Sequence, residues 1–135
     1  MMKKIAESEY HFLRILWECE PISSTELVRI CNQRLGWKKS TTYTVIKNLS
    51  NKEIIKNENT IVSSLVSKEK VDRQESDALV ERMFQGNIPS FFSAFFKDRV
   101  LSREDIERIQ RIIDEAGERE KKEEKTKEKE QEKKK

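Results

Sequence analysis

A mainly helical chain carrying one small β-hairpin is the fold class that this sequence predicts, and three observations predict it. Apolar residues recur at helical spacing through most of residues 7–116. One short segment, "EIIKNENTIVSS", sets two apolar pairs on either side of a polar "KNENT" turn, a hairpin signal without an Asn-Gly pair. Residues 118–135 contain no apolar residue at all. A chain of 135 residues, 39% of them charged, has room for a small domain with a helical extension but not for two large cores.

The first helix is predicted over Glu7 to Cys19, where Tyr10, Phe12, Leu13, Leu16 and Trp17 follow helical spacing with charges between them. Pro21 breaks the pattern. Ser23, with Glu26 three residues later, makes a capping box that opens a second helix with Leu27, Ile30, Cys31 and Leu35 inside, ending at Gly36.

The next stretch, "STTYTVIKNLSNKEII", packs Thr41, Thr42, Thr44, Val45 and Ile46 into six positions, a composition that suits strands. As a strand, however, neither of its alternating faces would be cleanly apolar. Wound at 3.6 residues per turn, Thr42, Val45, Ile46 and Leu49 form one apolar face, and Ser40, Thr44, Lys47 and Asn51 lie opposite, flanked by Thr41, Tyr43 and Asn48. The spacing predicts a third helix over about 40–51, with Ser40 as its N-cap.

A face kept only for water would favour Glu, Lys and Gln over Thr, Tyr and Asn, which cost more in helix propensity. Hydroxyl, methyl and amide groups suit base edges in a major groove, which makes Thr41, Tyr43, Thr44, Lys47 and Asn48 candidate base contacts. Lys38, Lys39, Ser40, Lys52 and Lys56 bracket them as candidate contacts to the DNA backbone. The competing reading is an ordinary amphipathic helix with a polar outside.

Beyond the hairpin, Ser67 can cap a helix through Val71, Leu79, Val80, Met83 and Phe84, stopped by "QGN". Pro89 stands near the start of an aromatic helix with Phe91, Phe92, Phe95 and Phe96. Ser102 to Asp105 caps another, whose stripe of Ile106, Ile109, Ile112 and Ile113 is expected to end before Gly117. These helices expose more apolar surface than they can bury alone, so the phenylalanines and isoleucines are candidate dimerisation residues. After Glu118 the chain has nothing to bury and is expected to be a frayed charged helix or a disordered tail.

Bulk charge discriminates little, since 28 Lys and Arg face 25 Asp and Glu. Its distribution says more: residues 1–75 hold 13 basic and 10 acidic side chains, whereas 76–117 hold 6 and 8. Cys19 and Cys31 offer neither a CxxC pair nor, with one histidine in the chain, a zinc set, so no metal and no cofactor is expected. His11 has no nucleophile or acid partner and reads as a surface residue on the first helix, which argues against an enzyme. No apolar run approaches the ~18 residues of a membrane span and "MMKKIAESEY" lacks a signal peptide's apolar region, so no membrane partner and a cytoplasmic location are expected.

Two helices, a third with a basic polar face, then a hairpin: that order matches the winged form of the helix-turn-helix. The residues carrying it also resemble a known group, the BlaI/MecI/CopY family of bacterial repressors. The likeness starts at "KKIAESEYHFLRILWECEPISSTELVRIC", with Ile5, the pair Glu9 and Tyr10, "LW", Pro21 and Glu26-Leu27, and continues through Trp37 and "TTYTVIKNL". The rest matches in its order of elements, down to "LSREDIERIQRIID".

The resemblance implies a winged-helix repressor that binds a palindromic operator in double-stranded DNA as a homodimer. Thr41, Thr44 and Asn48 then stand where recognition-helix residues contact DNA, and the phenylalanines and isoleucines form the dimer seam. The order of elements is expected to divide the chain into a DNA-binding domain, 1–66, a helical dimerisation region, 67–117, and the charged tail, 118–135. The resemblance also implies an inactivating protease as a partner in β-lactam-responsive members, which are cut at an Asn-Phe bond; the corresponding bond here is Ala94–Phe95.

Other departures are Glu53 where the family usually has Gly, Asn48 for a common Arg, a wing without its Gly-Arg pair and tyrosines, and no cysteine after Cys31, which argues against a copper signal. The rival function is a winged-helix module that binds protein through the Phe-rich helices.

Overall fold

The computed structural model describes residues 3–134. Its elements, in order, are α1 (Glu7–Cys19), β1 (Ile22–Ser23), α2 (Ser24–Leu35), α3 (Lys39–Asn51), β2 (Ile55–Glu58), β3 (Ile61–Ser64), α4 (Lys68–Phe84), α5 (Ile88–Phe96) and α6 (Arg103–Lys133). They fall into two compact units, one through Asn87 and one from Ile88 onward.

The first unit is a winged helix. α1, α2 and α3 enclose a core in which Phe12, Leu13, Leu16, Leu27, Cys31 and Leu49 are fully buried, closed from the sheet side by Ile55 and Val62. Burial pushes the Cys31 thiol above its ordinary pKa, so it sits in that core as a small neutral apolar group. His11 is an exposed residue of α1 facing Glu7.

Ser23 caps α2 by accepting from the Glu26 N–H, but the expected box is incomplete, because the Glu26 carboxylate turns to Arg29. Gly36 closes α2 at φ 70°, the left-handed conformation that favours glycine. Asn32 then donates to the Trp37 carbonyl, and α3 begins at Lys39 with Lys38 as N-cap. Ser40, expected to be that cap, lies inside the first turn. Its carbonyl accepts from the Thr44 hydroxyl at 2.9 Å.

The wing is tighter than the polar "KNENT" segment suggests. Ile55 pairs with Ser64 and Glu58 with Ile61, leaving a two-residue turn of Asn59 and Thr60, both at positive φ as such turns require. The sheet order is β1-β3-β2, because Ile22 and Ser23 add a short outer strand to β3. A two-residue strand has no alternation to read, so this one left no trace in the sequence pattern.

Between α3 and the wing, Glu53 adopts φ 60°, at the position where the family that the sequence resembles is expected to have Gly. A side chain strains this conformation by about 1 kcal/mol. Glu53 is exposed. Glu53→Gly should therefore raise stability by somewhat less than that, because Gly also loosens the unfolded chain. An unchanged or lowered urea midpoint would contradict it.

α4 lies within this first unit. Val71 is fully buried, Trp17 Nε1 donates to the Val66 carbonyl at 3.0 Å, and the Tyr10 hydroxyl donates to Asp72 Oδ1 at 2.6 Å. Ser67 caps α4, and Gln85 and Gly86, both at positive φ, end it. Lys68 and the Tyr10 hydroxyl together hold the Asp72 carboxyl below its ordinary value.

A depressed carboxylate stabilises above its unfolded pKa, and this contribution vanishes as pH falls through the lowered one. The gap in melting temperature between the unaltered chain and Asp72→Asn should therefore narrow on acidification below about pH 4. A gap that stays constant down to full protonation would show that the charge of Asp72 adds nothing.

In the second unit, α5 and α6 bury no residue fully. Ser102 caps α6 as expected, by accepting from the Asp105 N–H. The stop expected at Gly117 is absent: α6 passes through it to Lys133, so the segment expected to fray or to be disordered continues as helix. One glycine costs about 1 kcal/mol in a helix, and the strong helix formers Glu, Lys and Arg on both sides outweigh it. Among the described residues no helix is long and apolar enough to cross a membrane.

Candidate nucleic-acid interface

The candidate interface is built on α3. Thr42, Val45, Ile46 and Leu49 are all buried, which fixes the rotation of the helix about its axis. That rotation turns Ser40, Thr41, Tyr43, Thr44, Lys47, Asn48 and Asn51 outward, all exposed. The five side chains expected to meet bases therefore share one outer surface. Asn51, left out of that expected set, stands one turn beyond Asn48 on the same surface.

Their chemistry is specific. The Thr44 hydroxyl spends its hydrogen on the Ser40 carbonyl, leaving its lone pairs and methyl group for a partner. The Lys39 ammonium lies 5.9 Å from the Tyr43 ring centroid. The first turn of α3 carries no acidic residue and no side-chain cap, so its positive pole faces solvent beside Lys38, Lys39 and Ser40.

The five lysines expected on the DNA backbone or among the bases divide into three settings. Lys38, Lys39 and Lys47 are exposed on or beside α3. Lys56 is exposed on β2, its ammonium 3.8 Å from Glu58. Lys52 does not join this surface as expected. Its ammonium turns inward to Glu9 Oε1 at 2.5 Å and to the Lys4 carbonyl at 2.9 Å.

Glu9 explains that turn. Its side chain is 5% exposed and also accepts from the Ala6 N–H at 2.8 Å, and a carboxylate so deeply placed requires a cation. The signal was present in the sequence: Glu9, Phe12, Leu13 and Leu16 follow i, i+3, i+4 and i+7, which puts an acid on the inner face of the first helix.

The candidate dimerisation residues lie in the second unit. Phe91 stacks on Phe95 and Phe92 on Phe96, with centroids 5.9 and 5.5 Å apart, and the Arg99 guanidinium lies 4.3 Å from the Phe95 centroid. Phe92, Phe95, Ile106, Ile112 and Ile113 remain exposed, while Phe91, Phe96 and Ile109 are half-buried.

The model of the penicillinase repressor family matches residues 5–115. The chain is 25% identical over 114 residues to the methicillin resistance regulatory protein MecI of Staphylococcus aureus strain Mu50, a match covering 82% of this chain and 93% of that protein. It is 24% identical, with the same coverage, to proteins of that name from Mammaliicoccus sciuri and Staphylococcus epidermidis.

Proposed function

The chain belongs to the penicillinase repressor family of transcriptional repressors, and from that premise we propose that it binds a palindromic DNA operator as a homodimer. The observation that carries this reading is α3: four buried residues hold it, and its exposed side offers the hydroxyls and amides of Thr, Tyr and Asn where a solvated helix would offer Glu, Lys and Gln. Asn48 suits adenine, the threonine methyls suit thymine, and Lys38, Lys39 and Lys56 suit phosphates.

Two copies of α3 then enter major grooves one helical turn apart, about 10 base pairs, or a multiple of it. The exposed phenylalanines and isoleucines of the second unit form the seam between protomers. Such a repressor works in the bacterial cytoplasm, where its DNA is. The Ala94–Phe95 bond lies within α5, so a protease acting there needs that helix to open locally first.

Selection of bound sequences from a random duplex pool tests this reading, because a recovered palindrome reports DNA binding, half-site spacing and symmetry together. A pool that stays random after selection would overturn it. In the recovered operator, Thr44→Ala and Asn48→Ala should each relax base preference at one position, by about 1–3 kcal/mol. Lys38→Ala or Lys39→Ala should instead weaken binding to all sequences and lower the salt slope by about one.

The rival reading, a protein-binding module, draws on the same exposed phenylalanines. It predicts weak binding to random duplex DNA and almost no salt dependence, which one titration at two salt concentrations separates.

A further inference from the structure

Lys52 is turned inward, and there it organises the surface beside the C-terminal end of α3. Its bond to the Lys4 carbonyl ties the segment ahead of α1 to the C-terminal end of α3, and its bond to Glu9 anchors that tie in the interior. Lys3, Ser8, Asn48 and Asn51 line a single cleft of about 400 Å³, together with the Glu9–Lys52 pair. The charges of that pair cancel, so Lys3 gives the cleft its net positive charge.

All four of these side chains are exposed, and Asn48 belongs both to this cleft and to the outward surface of α3. The cleft is therefore continuous with the surface offered to base edges. An ammonium, a hydroxyl and an amide are the side-chain types that hold DNA phosphate oxygens.

We propose that this cleft is a phosphate-binding edge of the DNA interface, in which Lys3, with the Ser8 hydroxyl and the Asn51 amide, takes one backbone phosphate beside the base met by Asn48. Lys52 is the strut that holds the segment in place, and Lys3 makes the contact that the sequence pattern assigns to Lys52. This inference rests on the DNA-binding reading and extends it from α3 to the start of the chain. Because the Lys4 backbone is already pinned, less ordering entropy is lost on binding than for an untethered basic arm.

The test uses the full chain and a random-sequence duplex, with affinity measured across a salt series for the unaltered protein, Lys3→Gln, Ser8→Ala and Lys38→Gln. Lys3→Gln should lower the slope of log affinity against log salt by about 0.9, equally for all sequences. Ser8→Ala should weaken binding severalfold with the slope unchanged. An unaltered slope for Lys3→Gln, while Lys38→Gln reduces it, overturns the inference and leaves DNA binding by α3 standing. No binding by the unaltered chain overturns the DNA reading itself, and this inference with it.

Discussion

Replacing Ile106 and Ile113 together by aspartate is expected to give a folded monomer that loses operator affinity by about a thousandfold. The two residues are 41% and 55% exposed and lie seven apart on one face of α6. A monomer therefore accepts the charges in water. A dimer that buries them does not.

Full burial of an isoleucine contributes about 1.5–3 kcal/mol, and with only about half of each side chain still exposed, four across a symmetric seam contribute about 3–6 kcal/mol. This is a large share of the free energy of a micromolar dimer, about 8 kcal/mol. Without the seam each protomer binds one half-site alone, and the effective concentration that tethers the second to its site disappears. Sedimentation velocity and an operator titration read the two losses separately. A double variant that still sediments as a dimer would show that the seam lies elsewhere, for example on the phenylalanines of α5 alone.

The parts of the fold and site that were legible are those encoded by periodicity. Thr42, Val45, Ile46 and Leu49 sorted α3 into an inner and an outer side although its composition favoured a strand, and all four are buried. Burial follows the 3.6-residue repeat, whereas β propensity reports only a weak local preference that packing overrides.

Features set by neighbours in space were harder to read. Ser40 is a good N-cap residue, but α3 starts one residue ahead of it because Gly36 and the Asn32 bond to the Trp37 carbonyl complete the turn first. The wing turn at Asn59 and Thr60 lacks the glycine that normally marks a two-residue hairpin, so its pairs were visible and its turn was not. Gly117 read as a stop because glycine often ends helices. Here it has helical neighbours on both sides and no left-handed turn to make. Lys52 read as a phosphate contact because its charge was counted and the inward-facing Glu9 was not matched to it.

That pair gives the largest stability effect expected from a single polar substitution. Lys52→Met should cost about 3 kcal/mol, because it strips the cation from a buried carboxylate. The estimate takes the low end of the range for buried pairs, since the Lys52 side chain remains 26% exposed against 5% for Glu9. Of the two Glu9 oxygens, Oε1 would keep only the Ala6 N–H, and Oε2 is buried with no hydrogen-bond partner among the described residues.

Glu9→Gln should cost less, about 1 kcal/mol, because Gln can still accept from Ala6 and the ammonium keeps the Lys4 carbonyl and some water. Combining the two should cost about 1–2 kcal/mol rather than their sum, because neither variant side chain leaves a charge stranded. Urea denaturation of the four proteins closes the cycle. Additive costs would mean that solvent screens this pair as it does a surface salt bridge, and that α3 needs no tether at its C-terminal end. Strong coupling would mean that the end of the DNA-facing helix is held to α1 by one buried charge pair, at the point from which Asn48 and Asn51 are presented.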